Sequence, residues 1–289
     1  MPAVAIVTDS TAYLPDEVLA AEGVGTVPLS VVFPDGTTEL ETDLADRAAY
    51  WRRLADLAQL PTTSQPSVGA FTAVYEPLLD AGRDIVSIHL AGGISGTVGA
   101  AEVAADTVAA AHPERAVRVF DSRSAGGGLG LIVLAAARAA AAGHDVDAVL
   151  ARAEAAREAV SIWFAVDTLE YLRRGGRIGS AQAWLGSALR IKPILTVEGE
   201  ITPIERVRTS KRAFERLLGF AEELRESGKS GWAVQHIQAP DEAQRLVEAA
   251  AEILGCPPVY VSEMGPVIGT HVGPGLLGIG GLPPELLAP

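Results

Sequence analysis

An α/β fold in two parts is what the sequence predicts, and three observations carry it. β-branched runs alternate with Ala-rich helical stretches, glycine- or serine-rich turns separate them, and near Ser161 the alternation gives way to a hairpin among helices. The boundary is expected between residues 160 and 161, which gives domains 1–160 and 161–289.

Val4 to Val7 is a β-branched run ending in the polar TDST, and Pro15 to Ala21 is helical in composition, so the chain opens on strand, loop and helix. Thr62 to Pro66 (TTSQP) reads as a polar loop. The helix after it carries Phe71, Val74, Tyr75 and Leu78 at helical spacing, with a kink expected at Pro77. Asp84 to Leu90 is the next strand, AGGISGT the next turn, and Val98 to Ala111 an Ala-rich helix of strong intrinsic propensity. A third unit repeats the plan: Val117 to Phe120 ends in DSRS, a glycine run spans Gly126 to Gly128, and Leu129 to Ala142 is a helix stopped by Gly143.

Ser161 to Val166 opens the second part as a strand. Asp167 to Arg174 follows as a short helix, with Asp167 and Glu170 at the spacing of a capping box and Gly175 as C-cap. Ile194 to Val197 and Ile201 to Val207 flank Glu198-Gly199-Glu200 as a hairpin, and helices Ser210 to Glu226 and Asp241 to Leu254 surround the strand Trp232 to Ile237.

Composition excludes several functions. Apolar residues make up 48% of the 289-residue chain, enough for a real core and incompatible with wholesale disorder. Lys and Arg number 23 against 36 Asp and Glu, a net charge of −13 that repels phosphodiesters and anionic lipid. No nucleic acid partner is expected, and membrane contact is at most transient. Cys256 is the single cysteine, so there is no internal disulfide and no CxxC pair. With no HExxH and no paired His or Cys spacing, neither a metal nor a cofactor is expected. MPAVAIVTDST lacks a basic leader and turns polar early, which reads as a first strand and a cytoplasmic protein. The longest apolar run, Ala125 to Ala137, falls short of the roughly 18 residues a bilayer span needs. Gly273, Gly275 and Gly278 form a G-x-G-x-x-G with too little chain after it for a βαβ unit, and no P-loop motif occurs.

Small hydroxyl residues stand out at strand-to-loop and loop-to-helix junctions: Ser10 and Thr11, Thr62, Thr63 and Ser64, Ser95 and Thr97, and Ser122. In an open parallel sheet such loops share one crevice, where helix N-termini offer unpaired N–H groups to an anion. Any one of them alone is an ordinary N-cap; their recurrence on several loops points to a site for a carboxylate or phosphate. Among the histidines, His89 and His236 lie within strands and His112 and His144 in turns. His271 differs, because it sits in the Gly- and Pro-rich loop GPVIGTHVGPG (Gly265 to Gly275), where backbone can pass close to a ligand.

These residues combine into a resemblance. TDSTAYLP, TTSQPS, ISGT at Ile94 to Thr97, the pair Asp121 and Ser122, LEYLRRGGRI, IKPIL, VRTSKRA and GPVIGTHVGPG occur in order along nearly the whole chain, which resembles the DegV family. The resemblance implies a two-domain DegV-like fold, with an N-terminal α/β/α domain on a parallel sheet, a C-terminal α/β domain on a mixed sheet, and the ligand between them. It implies a bacterial fatty-acid-binding carrier, non-catalytic by itself, that presents a palmitate-, stearate- or oleate-like chain to the catalytic subunit of a fatty acid kinase. That subunit uses ATP to make acyl phosphate for phospholipid synthesis. Carried over by motif, the carboxylate is expected at Thr63, Ser95 and His271. Ser10, Thr62, Ser64, Gly96, Thr97, Ser122 and Gly273 are secondary candidates. Where the family often has a Ser pair before its SGT turn, this chain has Ala91 and Gly92, which removes an auxiliary contact. Arg173, Arg174 and Arg177 match the family's basic stretch and face either ligand head group or partner, or else complement a helix dipole. Arg208, in VRTSKRA, is a candidate for the partner-facing surface.

A 16-carbon chain has about 14 methylenes at roughly 0.8 kcal/mol each, or about 11 kcal/mol of gross burial before ordering costs. The tail therefore supplies the affinity, and the polar residues hold the carboxyl group where another protein can reach it. Two rival readings stay open: a serine hydrolase using Ser95, His271 and Asp121 or Asp167, although Thr97 replaces the second glycine of the nucleophile elbow, and a binder of another small anionic ligand such as a sugar phosphate.

Overall fold

The computed structural model describes residues 3–57, 59–184 and 191–289. The chain begins with β1 (Val4–Asp9), α1 (Asp16–Glu22), β2 (Gly25–Val27), β3 (Ser30–Val32), β4 (Thr38–Leu40), α2 (Arg47–Asp56), β5 (Thr62–Ser64), α3 (Val68–Asp80), β6 (Asp84–His89), α4 (Thr97–Ala109), β7 (Val117–Asp121), α5 (Gly127–Ala141) and α6 (Val146–Ala159). It continues with β8 (Ser161–Ala165), α7 (Glu170–Arg174), β9 (Lys192–Val197), β10 (Ile201–Val207), α8 (Ser210–Glu226), β11 (Gly231–His236), α9 (Pro240–Leu254), β12 (Tyr260–Glu263), α10 (Pro266–Val272) and β13 (Leu277–Leu282).

Strands β2, β1, β6 and β7 form a parallel sheet in that order. All six residues of β1 are buried, as both faces of such a sheet must be covered. Ala5 and Val7 pack with Phe71, Tyr75, Ala101 and Val108 of α3 and α4, while Val4 and Ile6 face α5 and α6. The second sheet, β10-β9-β8-β13-β11-β12, is mixed: only β11 and β12 pair in parallel. Its outer face is closed by α8 and α9. Helix α8 presents Ala213, Leu217, Phe220, Ala221 and Leu224 as one buried stripe, and Thr209 caps it by accepting from Arg212 N at 3.1 Å. The inner face, with Phe164, Leu195, Val197 and Ile237, turns toward the parallel-sheet half. An α/β protein with a parallel N-terminal sheet and a mixed C-terminal sheet is thus what forms.

Three details differ from the sequence reading. Thr62–Ser64, expected as loop, is a short strand in a third sheet, β4-β3-β5, where Val31 pairs with Thr63. Three-residue strands are too short for period-2 alternation to reveal. The capping box at Asp167 does not form: α7 starts at Glu170, whose N–H bonds Thr168 Oγ1, and Asp167 instead pairs with Lys192. Gly175 does end that helix. His271 stands on a helix, not a loop. Pro266 starts α10 and Gly273, at φ +77°, ends it, so the glycines and prolines that suggested a loop punctuate a single short helix. Also unforeseen were β2, β3, β4, α2, α6, β12 and β13. Helix α3 runs past Pro77 to Asp80.

Candidate functional site

Between the inner face of the mixed sheet and the C-terminal ends of the parallel strands lies a cavity of about 230 Å³. Its wall is mostly apolar, with Leu90, Ile94, Phe164, Val197, Met264 and Leu276 among the residues that line it. Polar groups gather at Thr63, Ser64, Gln65, Ser95, Gly96, His271 and Arg177. Among the described residues no Asp or Glu lines it.

Three elements bring the polar groups together. Thr63, on β5, and His271, in the last turn of α10, meet through Oγ1 and Nε2 at 2.7 Å. Ser95 lies in the turn before α4, its Oγ 2.8 Å from Thr97 Oγ1 and accepting from Thr97 N at 3.3 Å. Helix α4 has Gly96 as its N-cap with no side-chain cap of its own; Ser95 Oγ takes the Thr97 N–H, and the N–H groups that follow it in the first turn have no intrahelical partner and can meet an anion.

Burial pushes the His271 imidazole down to about 4, helped by the Arg177 guanidinium, so the ring is neutral at neutral pH. Its Nδ1 has no hydrogen-bond partner among the described residues. Space for the ring depends on Gly175, because a Cβ there would clash with Nδ1. With Nε2 protonated, His271 donates to Thr63 Oγ1 and leaves the Thr63 hydroxyl proton free for a ligand oxygen.

Since the folded ring binds its proton only near pH 4 and an unfolded one near 6.5, the unfolded chain takes up more protons between those values. Stability must therefore fall as pH drops through that window, by about 2–3 kcal/mol at its acid end. Urea unfolding at pH 7 and pH 4.5 checks this: His271→Gln is expected to lose that much of the pH dependence seen with His271 in place, and equal slopes would refute it.

Helix α10 is held at its other end by Glu41. This buried carboxylate accepts from Ser10 Oγ at 2.5 Å, Tyr13 Oη at 2.7 Å and Val267 N at 2.7 Å, while Tyr13 Oη accepts from Ile268 N at 3.0 Å. Burial raises the Glu41 pKa, and the three donors oppose that rise. A carboxylate at the helix N-terminus complements its dipole and stands in for the side-chain cap that Gly265 lacks. Glu41 thereby helps to place His271 at the opposite end.

Of the sequence candidates, Thr63, Ser64, Ser95, Gly96, His271 and Arg177 line the cavity and the others do not. Ser10 is spent on Glu41 and Leu29 N; Thr62 is exposed on β5; Thr97 pairs with Ser95; Ser122 is buried against the Ser124 carbonyl; Gly273 packs on the Tyr171 ring. Arg173 and Arg174 both grip Glu170, at 2.7 and 2.6 Å, and hold its carboxyl down at about 2. Arg177 alone of that stretch reaches the cavity, its guanidinium bonded to the carbonyls of Gly175 and Ile94. Arg208 is exposed. Gln65 and Gln235 are lining residues the sequence reading passed over. Gln65 sits inside the TTSQPS motif, and Gln235 interrupts the apolar run WAVQHI.

The parts of a serine hydrolase triad are not assembled. Ser95 bonds Thr97 and His271 bonds Thr63, while Asp121 accepts from Gly92 N and Arg123 N and Asp167 pairs with Lys192. A Ser, His, Asp chain does exist at Ser87, His89 and Asp9, but it is sealed in the core and ends on Tyr75.

The family model described as "uncharacterised protein, DegV family" matches residues 3–283. The chain belongs to the DegV family. One DegV relative, a DegV domain-containing protein of Streptomyces coelicolor, is 44% identical over 282 residues, covering 96% of this chain and 97% of its own. The structure of DegV, a fatty acid binding protein from Bacillus subtilis, is 35% identical with a TM-score of 0.86, covering 98% of this chain and 100% of that one. A stearic acid-binding protein from Eubacterium ventriosum superposes with a TM-score of 0.89 at 26% identity, covering 98% of each chain. The two sheets described above are thus the DegV fold. Among the described residues no helix is long and apolar enough to cross a membrane.

Proposed function

We propose that this DegV protein binds a palmitate-, stearate- or oleate-like fatty acid in the cavity and presents its carboxylate to the catalytic subunit of a fatty acid kinase. The observation that carries this is an apolar cavity at whose wall Thr63, Ser95 and His271 gather beside the N-terminus of α4. Fatty acid binding in the similar Bacillus subtilis and Eubacterium ventriosum proteins supports the choice of ligand. In this reading 1–160 and 161–289 are the two domains, with the chain buried between them.

The carboxylate accepts from Thr63 Oγ1, Ser95 Oγ and first-turn N–H groups of α4. These are neutral donors, so no tight ion pair has to be broken when the carboxylate oxygen attacks the γ-phosphorus of ATP on the partner. ADP leaves as the P–O bond to it breaks, and the acyl phosphate remains. Arg177, engaged with two backbone carbonyls, lends positive potential without clamping the ligand. The protein itself catalyses nothing; it works in the cytoplasm as a carrier that feeds phospholipid synthesis.

Native mass spectrometry of the purified protein, followed by denaturing lipid extraction, is expected to show a one-to-one adduct released as free fatty acid. A protein that is empty and takes up neither palmitate nor oleate overturns the reading. For the partner surface, Arg208→Glu is expected to slow acyl-phosphate formation with the kinase subunit while lipid binding is kept. Equal loss of both removes Arg208 from docking.

A further inference from the structure

On the inner face of the mixed sheet Gln235 stands between Ala233 and Ile237, a polar side chain 4% exposed in an apolar wall. Its amide nitrogen faces Ser262 Oγ at 3.0 Å and the carbonyl oxygens of Ala12 at 3.3 Å and Tyr13 at 3.4 Å. Carbonyl oxygens only accept, so these contacts fix which end of the amide is nitrogen. The other end, Oε1, has no hydrogen-bond partner among the described residues.

That oxygen lies against the start of α5. A Cβ on Gly126 would come within 2.8 Å of it, and one on Gly127 within 3.5 Å. No side chain caps α5 at Gly126, and Gly127 lines the cavity together with Gln235. Ser124, 2% exposed and beside the same turn, also leaves its hydroxyl oxygen unpaired. An unmet acceptor thus stands beside the first turn of α5, whose N–H groups have no intrahelical partner and no side-chain cap from Gly126, and a plain methylene chain satisfies neither.

A hydroxyl group satisfies both, since it gives its proton to Gln235 Oε1 and its lone pairs to the N–H groups of α5. A ketone or ether oxygen cannot donate to Oε1, and an amine would enter as a cation with no acidic residue among the described lining groups. We propose that Gln235 and the first turn of α5 form a subsite for a hydroxyl on the acyl chain, so that a hydroxy fatty acid is preferred over its unsubstituted parent. The proposal rests on the fatty-acid reading above.

The test is displacement of a fluorescent fatty acid from lipid-stripped protein by stearate and by a positional series of monohydroxystearates. One hydroxyl position is expected to bind about 10-fold tighter than stearate, the value of one well-made buried hydrogen bond. In Gln235→Leu the ratio is expected to fall to about one. A flat positional profile in the natural protein overturns the subsite and assigns Oε1 to a trapped water; this arm needs no variant. A preference that survives in Gln235→Leu overturns the role of Gln235. If stearate itself fails to displace the probe, the fatty-acid reading falls and the subsite with it.

Discussion

Thr63→Val is expected to weaken palmitate or oleate binding about 10- to 100-fold. The substitution keeps shape and β-branching on a short strand, so the fold survives, and it removes one hydroxyl. In the proposed reading that hydroxyl has two tasks: with His271 protonated at Nε2, it accepts from that nitrogen, 2.7 Å away, and offers its own proton to the carboxylate. A hydrogen bond to a charged group contributes about 1.5–3 kcal/mol, and each 1.4 kcal/mol is a factor of ten in affinity. The remaining affinity comes from the tail, which this substitution leaves alone. Because His271 acts through Thr63, adding His271→Ala to the valine variant is expected to cost far less than His271→Ala alone. Calorimetric titration of the lipid-stripped proteins measures this. An unchanged dissociation constant in Thr63→Val would place the carboxylate elsewhere.

The second large effect is on stability. Glu41→Ala strands the Tyr13 hydroxyl and the Val267 N–H in a buried setting and the Ser10 hydroxyl in a half-buried one, which at about 1–3 kcal/mol for each buried group costs several kcal/mol. Glu41→Gln keeps an acceptor for Tyr13 and Val267 and can donate to Ser10, while removing a charge that burial disfavours. The amide variant is therefore expected within about 1 kcal/mol of the natural protein, and the alanine variant far below it. Denaturant titration separates the two outcomes. Equal loss in both would mean that the charge at the α10 N-terminus, and not the hydrogen-bond pattern, holds this corner together.

How much was legible in the sequence depends on the length of the signal. Strand β1 and helices α4, α5, α8 and α9 announce themselves through β-branched runs, Ala-rich stretches and helical spacing, and the hairpin through Glu198-Gly199-Glu200. Thr63, Ser95 and His271 were legible as members of motifs, and the structure brings all three to one cavity. The sheet β4-β3-β5 was not legible, since three residues per strand carry no period. Glu41 reads as one more acid in a polar run, because nothing local tells a buried carboxylate from a solvated one. Ser10 and Thr97 looked like ligand donors for the converse reason: a hydroxyl at a loop serves a neighbour as readily as a ligand, and here Glu41 and Ser95 claimed them. The apolar lining was beyond reach, since it is assembled from the inner faces of strands far apart in the chain.

Helix α5 sets a limit on how the molecule can come apart. Twelve of its 15 residues are buried, and its core cluster joins Val4, Ile6, Val86 and Ile88 of the parallel sheet to Ala233 and Leu282 of the mixed one. Pulling the sheets apart would expose apolar surface on whichever side α5 leaves, at about 25 cal/mol for every Å². The two sheets are therefore expected to melt together, in one calorimetric transition.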